Sequence, residues 1–144
     1  MIRQLGAYLL AIAVAYLCAV VVATQSVIAS LNGMGVTVGF GDRIGMTLQD
    51  LAGMAGIFLP VIAAGFLIAF LVTALLCRWL GQRRDWLFIL AGAVALVMVH
   101  LVLKLAFGIT PIAVGRTTGG LLMQGLAGAA GAYVFTLLIR KPRV

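Results

Sequence analysis

The sequence contains no glutamate, a single histidine and only two cysteines in 144 residues, and charged side chains make up 9% of it. Soluble domains carry about 25% charged residues, so this chain cannot build an ordinary water-facing surface. Its acids are Asp42, Asp50 and Asp85. They are too scattered for acid–base work by paired carboxylates. One histidine and no glutamate leave too few ligands for an all-protein zinc site. No serine stands in a nucleophile elbow, and no glycine loop carries the lysine of a phosphate-binding loop. These absences argue against an enzyme, and no metal or cofactor is expected. A haem held by two histidines would need His100 from each of two subunits. Cys18 and Cys77 are too few for a disulfide framework, and they fall at different depths of their apolar runs. Two separate buried thiols are expected.

What the chain does have is hydrophobic residues, 65% of the total, with a net charge of +7. The apolar residues form four runs, at 5–29, 51–77, 86–107 and 119–139. A helix needs about 20 apolar residues to cross a bilayer, and each run supplies them. The expected fold is all-α: one integral membrane domain over 1–144, an up-down bundle of four transmembrane helices. The first run follows Arg3 and is longer than the core of a signal peptide, so it reads as a retained span. Tyr16 and Leu17 before Cys18 do not fit a lipoprotein cleavage site.

The basic residues set the expected orientation. Arg3, Arg78, Arg83, Arg84, Arg140, Lys141 and Arg143 lie on one side of the four-span scheme, and Arg43, Lys104 and Arg116 on the other. Basic residues concentrate on the cytoplasmic side. Both termini are therefore expected inside, in a cell inner membrane, with Trp79 and Trp86 at headgroup level around the 78–85 turn. The same distribution assigns the positive charge to topology and headgroup contact rather than to nucleic acid.

Residues 30–49 hold Gly33, Gly35, Gly39, Gly41 and Gly45. The alternation of Val36, Val38 and Phe40 with Thr37 and Gly39 has a period of two, so a structured outer loop with a short strand or hairpin is expected. Thr47 with Asp50 three residues on reads as a capping box opening the second span. Pro60 inside that span predicts a kink, because proline removes a donor and crowds the carbonyl of Gly56. In the fourth run Gly125 with Ala129, and Gly128 with Ala132, have the spacing that lets helices approach closely. That packing is expected within the chain or against a second copy.

Thr37-Val38-Gly39-Phe40-Gly41-Asp42 resembles the selectivity-filter signature of potassium channels, in which backbone carbonyls replace an ion's water. The resemblance implies a pore through 37–42, with the following span as its inner helix. The chain departs from that family in leaving no room for a pore helix before the signature and in adding two helices after it.

Within the runs the polar side chains are lopsided. Gln25, His100, Lys104 and Gln124 fall in the outer halves of their spans, and Asp50 and Arg116 stand at the outer rim. His100 and Lys104 share one helix face. Ionisable groups at membrane depth are costly and usually face a bundle interior or water. The functional expectation is a carrier or channel with a shallow outward-facing pocket built from Gln25, Asp50, His100, Lys104, Arg116 and Gln124. With two fixed cations it would favour an anionic or hydrogen-bonding ligand, or a lipid. A structural polar cluster, with Lys104 reaching to the headgroups, is the competing expectation. An accessory subunit of a larger membrane complex, or a homo-oligomer, is the third.

Overall fold

The computed structural model describes residues 2–81, 85–108 and 112–139. It is all-helical: α1 spans Ile2–Gly33, α2 Phe40–Trp79, α3 Asp85–Phe107 and α4 Thr118–Ile139, with a short 3-10 turn at Ala113–Arg116 before α4. All four α-helices are long and apolar enough to cross a membrane, as in a multi-pass membrane protein. Contacts between neighbouring helices pair rising numbers with falling ones, as in Tyr8 with Ala63 and Tyr16 with Leu51.

The 30–49 segment corrects the sequence reading. Among the described residues there is no strand, and α1 and α2 absorb all but 34–39. The end of α1 is a left-handed glycine cap. Gly35 has φ +84°, and the Val36 amide returns to the Leu31 carbonyl at 3.1 Å, which satisfies the carbonyls the helix leaves open. Gly81 and Gly108 serve α2 and α3 with φ values of 65° and 66°. α2 then starts at Phe40, with Asp42 in its first turn, where a negative charge suits the helix dipole. Thr47 is no cap. It sits inside α2 and its hydroxyl donates to the Arg43 carbonyl at 2.7 Å. The alternation at 36–40 is real spacing without a pairing partner, and a lone strand cannot satisfy its backbone.

The filter-like signature is split by the same boundary. Thr37 and Val38 lie outside any helix, Gly39 is the extended residue that precedes α2, and Phe40, Gly41 and Asp42 are helical. The Gly39 carbonyl accepts from the Arg43 amide at 3.0 Å, so it is used inside the helix. The Val38 carbonyl faces the Arg43 side chain at 3.5 Å. Half of the signature is therefore helix, and one of its glycine carbonyls is already engaged.

α2 has 40 residues and is about 60 Å long at the standard rise, about twice a hydrocarbon core. It runs on through Pro60, which is exposed.

α4 is the centre of the bundle. A side chain on Gly128 would run into the Gly92 backbone, and one on Gly92 would meet the Ala132 methyl at 2.5 Å. On its other face Gly131 meets the Ala11 carbonyl at 2.5 Å. Gly125 is less crowded, with Val97 at 3.4 Å, and Ala129 is half-buried. The small residues of α4 are thus used inside the chain, joining it to α3 and α1. α2 is attached differently: the Tyr8 and Tyr16 hydroxyls donate to its Ala63 and Leu51 carbonyls at 2.5 and 2.6 Å. Phe70 of α2 also stacks on Phe135 of α4 at 4.4 Å between centroids.

Before α4, Ile112 and Val114 are buried as a plug. Thr117 caps the helix, its hydroxyl accepting from the Gly120 amide at 3.0 Å, the usual N-cap geometry. Gly120 lies against the Val114 carbonyl with no room for a side chain.

Candidate functional site

The aromatic rings Phe70, Phe88 and Phe135 fill the bundle near the Trp79–Asp85 end of α2 and α3. The buried polar side chains there are Thr73 and Thr136, and each donates to a carbonyl of its own helix at 2.8 Å. A hydroxyl can satisfy itself in this way without a neighbour.

The other half of the bundle is different. Thr24, His100 and Gln124 are buried there, and Asp50 is half-buried. Thr24 of α1 donates to the Asp50 carboxylate of α2 at 2.7 Å. Gln124 of α4 donates through Nε2 to the Ala19 carbonyl of α1 at 2.9 Å. His100 of α3 places Nδ1 2.9 Å from the Leu96 carbonyl and meets the Phe58 ring of α2 at 83° and 5.6 Å. Phe58 in turn packs on Tyr16 of α1. Helices α1 to α4 thus each contribute to one polar layer.

Two atoms of the layer lack a partner among the described residues: His100 Nε2 and Gln124 Oε1. The Leu96 carbonyl can only accept, so His100 Nδ1 carries the hydrogen, and in the neutral ring Nε2 is an acceptor. Gln124 Oε1 is also an acceptor. Both unsatisfied atoms therefore need donors.

The structure does not gather the six expected site residues into one pocket. Asp50, His100 and Gln124 belong to the layer. Gln25, Lys104 and Arg116 are exposed. Gln25 lines a separate surface hollow with Arg43 and Thr47 beside the start of α2. Lys104 is one turn past His100 but exposed, and Arg116 ends the 3-10 turn on the surface. The reasons differ: helical phase turns Gln25 away from the face that buries Thr24, whereas Lys104 shares the face of His100 but stands on the end of α3, where 104–107 are all exposed. With both cations outside, the basis for favouring an anion is gone. Thr24, Tyr16 and Phe58 were missed. Thr24 was visible as a polar residue near the end of the first run, but nothing in the sequence tied it to Asp50.

A separate concavity lies elsewhere. It is an open groove of about 610 Å³ between α2 and α3, floored by Ala64, Gly65, Ala91 and Ala95 and lined almost wholly by apolar side chains. No group of three or more metal-ligating side chains occurs among the described residues. Cys18 and Cys77 are free thiols. No family model, curated protein or solved structure matches the chain.

Proposed function

We propose that the chain is a non-catalytic carrier for a small hydrogen-bonding solute, embedded in the cell inner membrane as an up-down bundle with both termini in the cytoplasm. The observation that carries the reading is the pair of unsatisfied acceptors, His100 Nε2 and Gln124 Oε1, inside a largely apolar bundle whose buried hydroxyls, among the described residues, are all hydrogen-bonded. A buried polar atom without a partner costs about 1–3 kcal/mol, and an ionisable group at membrane depth is a functional-site candidate by default. α2 is the element that would move. It is held to α1 by three hydroxyl hydrogen bonds, from Tyr8, Tyr16 and Thr24, and no neighbour crowds its Gly41, Gly45, Gly53 or Gly56. The Gly56 carbonyl also lacks the amide that Pro60 cannot supply.

The test is stopped-flow swelling of proteoliposomes in urea, glycerol or methylammonium chloride. Faster swelling than protein-free vesicles for at least one solute, slowed by His100→Phe, is expected. Equal rates for all three would end the carrier reading. Orientation is tested with single cysteines at Val36 and Leu80. Val36→Cys should react with an impermeant maleimide on intact cells, and Leu80→Cys only after lysis.

A second reading has its own support. α2 is far longer than a bilayer is thick, and its first turns expose Phe40, Ile44 and Leu48 at helical spacing. An apolar stripe at an aqueous boundary suits packing against a larger membrane complex or a second copy, and lipid or a partner helix would fill the α2–α3 groove. Crosslinking from Ile44→Cys in native membranes tests it: a discrete adduct supports the reading, and monomer alone opposes it.

A further inference from the structure

We infer that His100 Nε2 and Gln124 Oε1 together form a two-acceptor site for one small hydrogen-bond donor, a molecule of the size and chemistry of water or ammonium. The inference rests on the carrier reading for its biological sense and names the ligand class of the same site. Its geometry stands apart from that reading.

The two residues occupy the same layer of the α3–α4 contact. Leu96 Cβ lies 2.9 Å from where a side chain on Gly128 would begin. The two helices run in opposite directions, as the pairing of Gly92 with Ala132 and of Val97 with Gly125 requires. His100 is one turn beyond Leu96, and Gln124 is one turn beyond Gly128 in the matching direction. Both side chains are shut inside, with His100 3% exposed and Gln124 fully buried. Their other polar atoms are committed: His100 Nδ1 to Leu96 and Gln124 Nε2 to Ala19. Both orientations are thereby fixed. Rotating the glutamine amide to offer its nitrogen to His100 would leave two oxygens, its own and that of Ala19, facing each other.

The unsatisfied atoms thus have one sign. A species with two N–H or O–H groups satisfies both at once. An anion such as hydrogen phosphate brings more acceptor oxygens than donors, and the carboxylate of Asp50 in the same layer, bonded to Thr24, disfavours its charge further. The rings of Phe58 and Tyr16 pack beside His100 in the same layer. The site is therefore selective against phosphate-like ligands.

The single histidine allows a direct test. Protein labelled with 15N-histidine and held in lipid nanodiscs gives ring signals from one residue. Nε2 should resonate as an unprotonated nitrogen that accepts a hydrogen bond. Ammonium chloride should shift it further upfield if ammonium is the occupant and leave it unchanged if water is. Sodium phosphate at the same ionic strength should have no effect. Gln124→Leu should move Nε2 toward the position of a free lone pair and abolish any ammonium response. An Nε2 that carries its own hydrogen at neutral pH, a free-lone-pair position that ammonium does not alter, or a shift driven by phosphate would each overturn the inference. A ligand-dependent shift without solute flux would remove the carrier reading and leave the site standing. Flux without any shift would do the reverse.

Discussion

The side-chain amide of Gln124 on α4 donates to the backbone carbonyl of Ala19 on α1 at 2.9 Å, across residues 105 positions apart in the chain. This bond fixes the amide so that its oxygen faces the remaining polar layer without a partner. The predictions below probe that layer and the packing that positions it.

Gln124→Leu removes one interhelical hydrogen bond and one unsatisfied oxygen together. Interhelical hydrogen bonds in membranes average about 0.6 kcal/mol, and the Ala19 carbonyl lies within α1, where the helix supplies a backbone donor. The expected change in stability is within about 1 kcal/mol of zero, read from unfolding of the detergent-solubilised protein in SDS. A loss well above that would mean that an occupant of the layer contributes to folding.

Gly128 and Gly125 are both small positions of α4, but they differ in crowding. A side chain at Gly128 enters the Gly92 backbone, whereas one at Gly125 meets Val97 at ordinary contact distance. Gly128→Val should destabilise by about 1–3 kcal/mol or more, the usual cost of overpacking. Gly125→Ala should be nearly neutral. Equal effects in a thermal-shift or SDS series would show that the α3–α4 contact is looser than described.

Thr24 and Asp50 join α1 to α2 through a 2.7 Å hydrogen bond. Thr24→Val, Asp50→Asn and the double variant form a cycle. The expected coupling is about 0.5–2 kcal/mol, near the upper end for membrane side-chain pairs. Additive single effects would show that the contact contributes nothing specific.

Thr117→Ala removes the cap of α4 and should cost about 1 kcal/mol. Thr117→Ser keeps the hydroxyl that accepts from the Gly120 amide and should restore most of it. If both variants unfold alike, the cap is not what starts the helix.

The four apolar runs were legible because lipid imposes one rule on every residue facing it, and that rule is written locally. The reading failed where a boundary depended on more than composition. Glycines 33, 39, 41 and 45 look like breakers, yet all but Gly39 lie in helices, and within 30–49 it is Gly35 that takes the left-handed conformation that ends one. The spacing of Gly128 with Ala132 marked a close contact, and the structure supplied its partners, Gly92 and Leu96 on α3. Gly131, which faces α1, lies outside both of those spaced pairs.

The chain alone determined an all-helical protein of four segments long and apolar enough to cross a membrane, because few charges and long apolar runs suit hydrocarbon, and hydrocarbon permits few backbone forms. Which polar groups meet was decided only by tertiary structure. Depth along a helix follows from residue number, but direction around it depends on how each helix is rotated against its neighbours. That rotation turned Gln25 outward and joined Asp50 to Thr24, while Lys104 stands on the exposed end of α3 and Arg116 on the 3-10 turn. The same rotation left His100 and Gln124 inside with two acceptors and no donor.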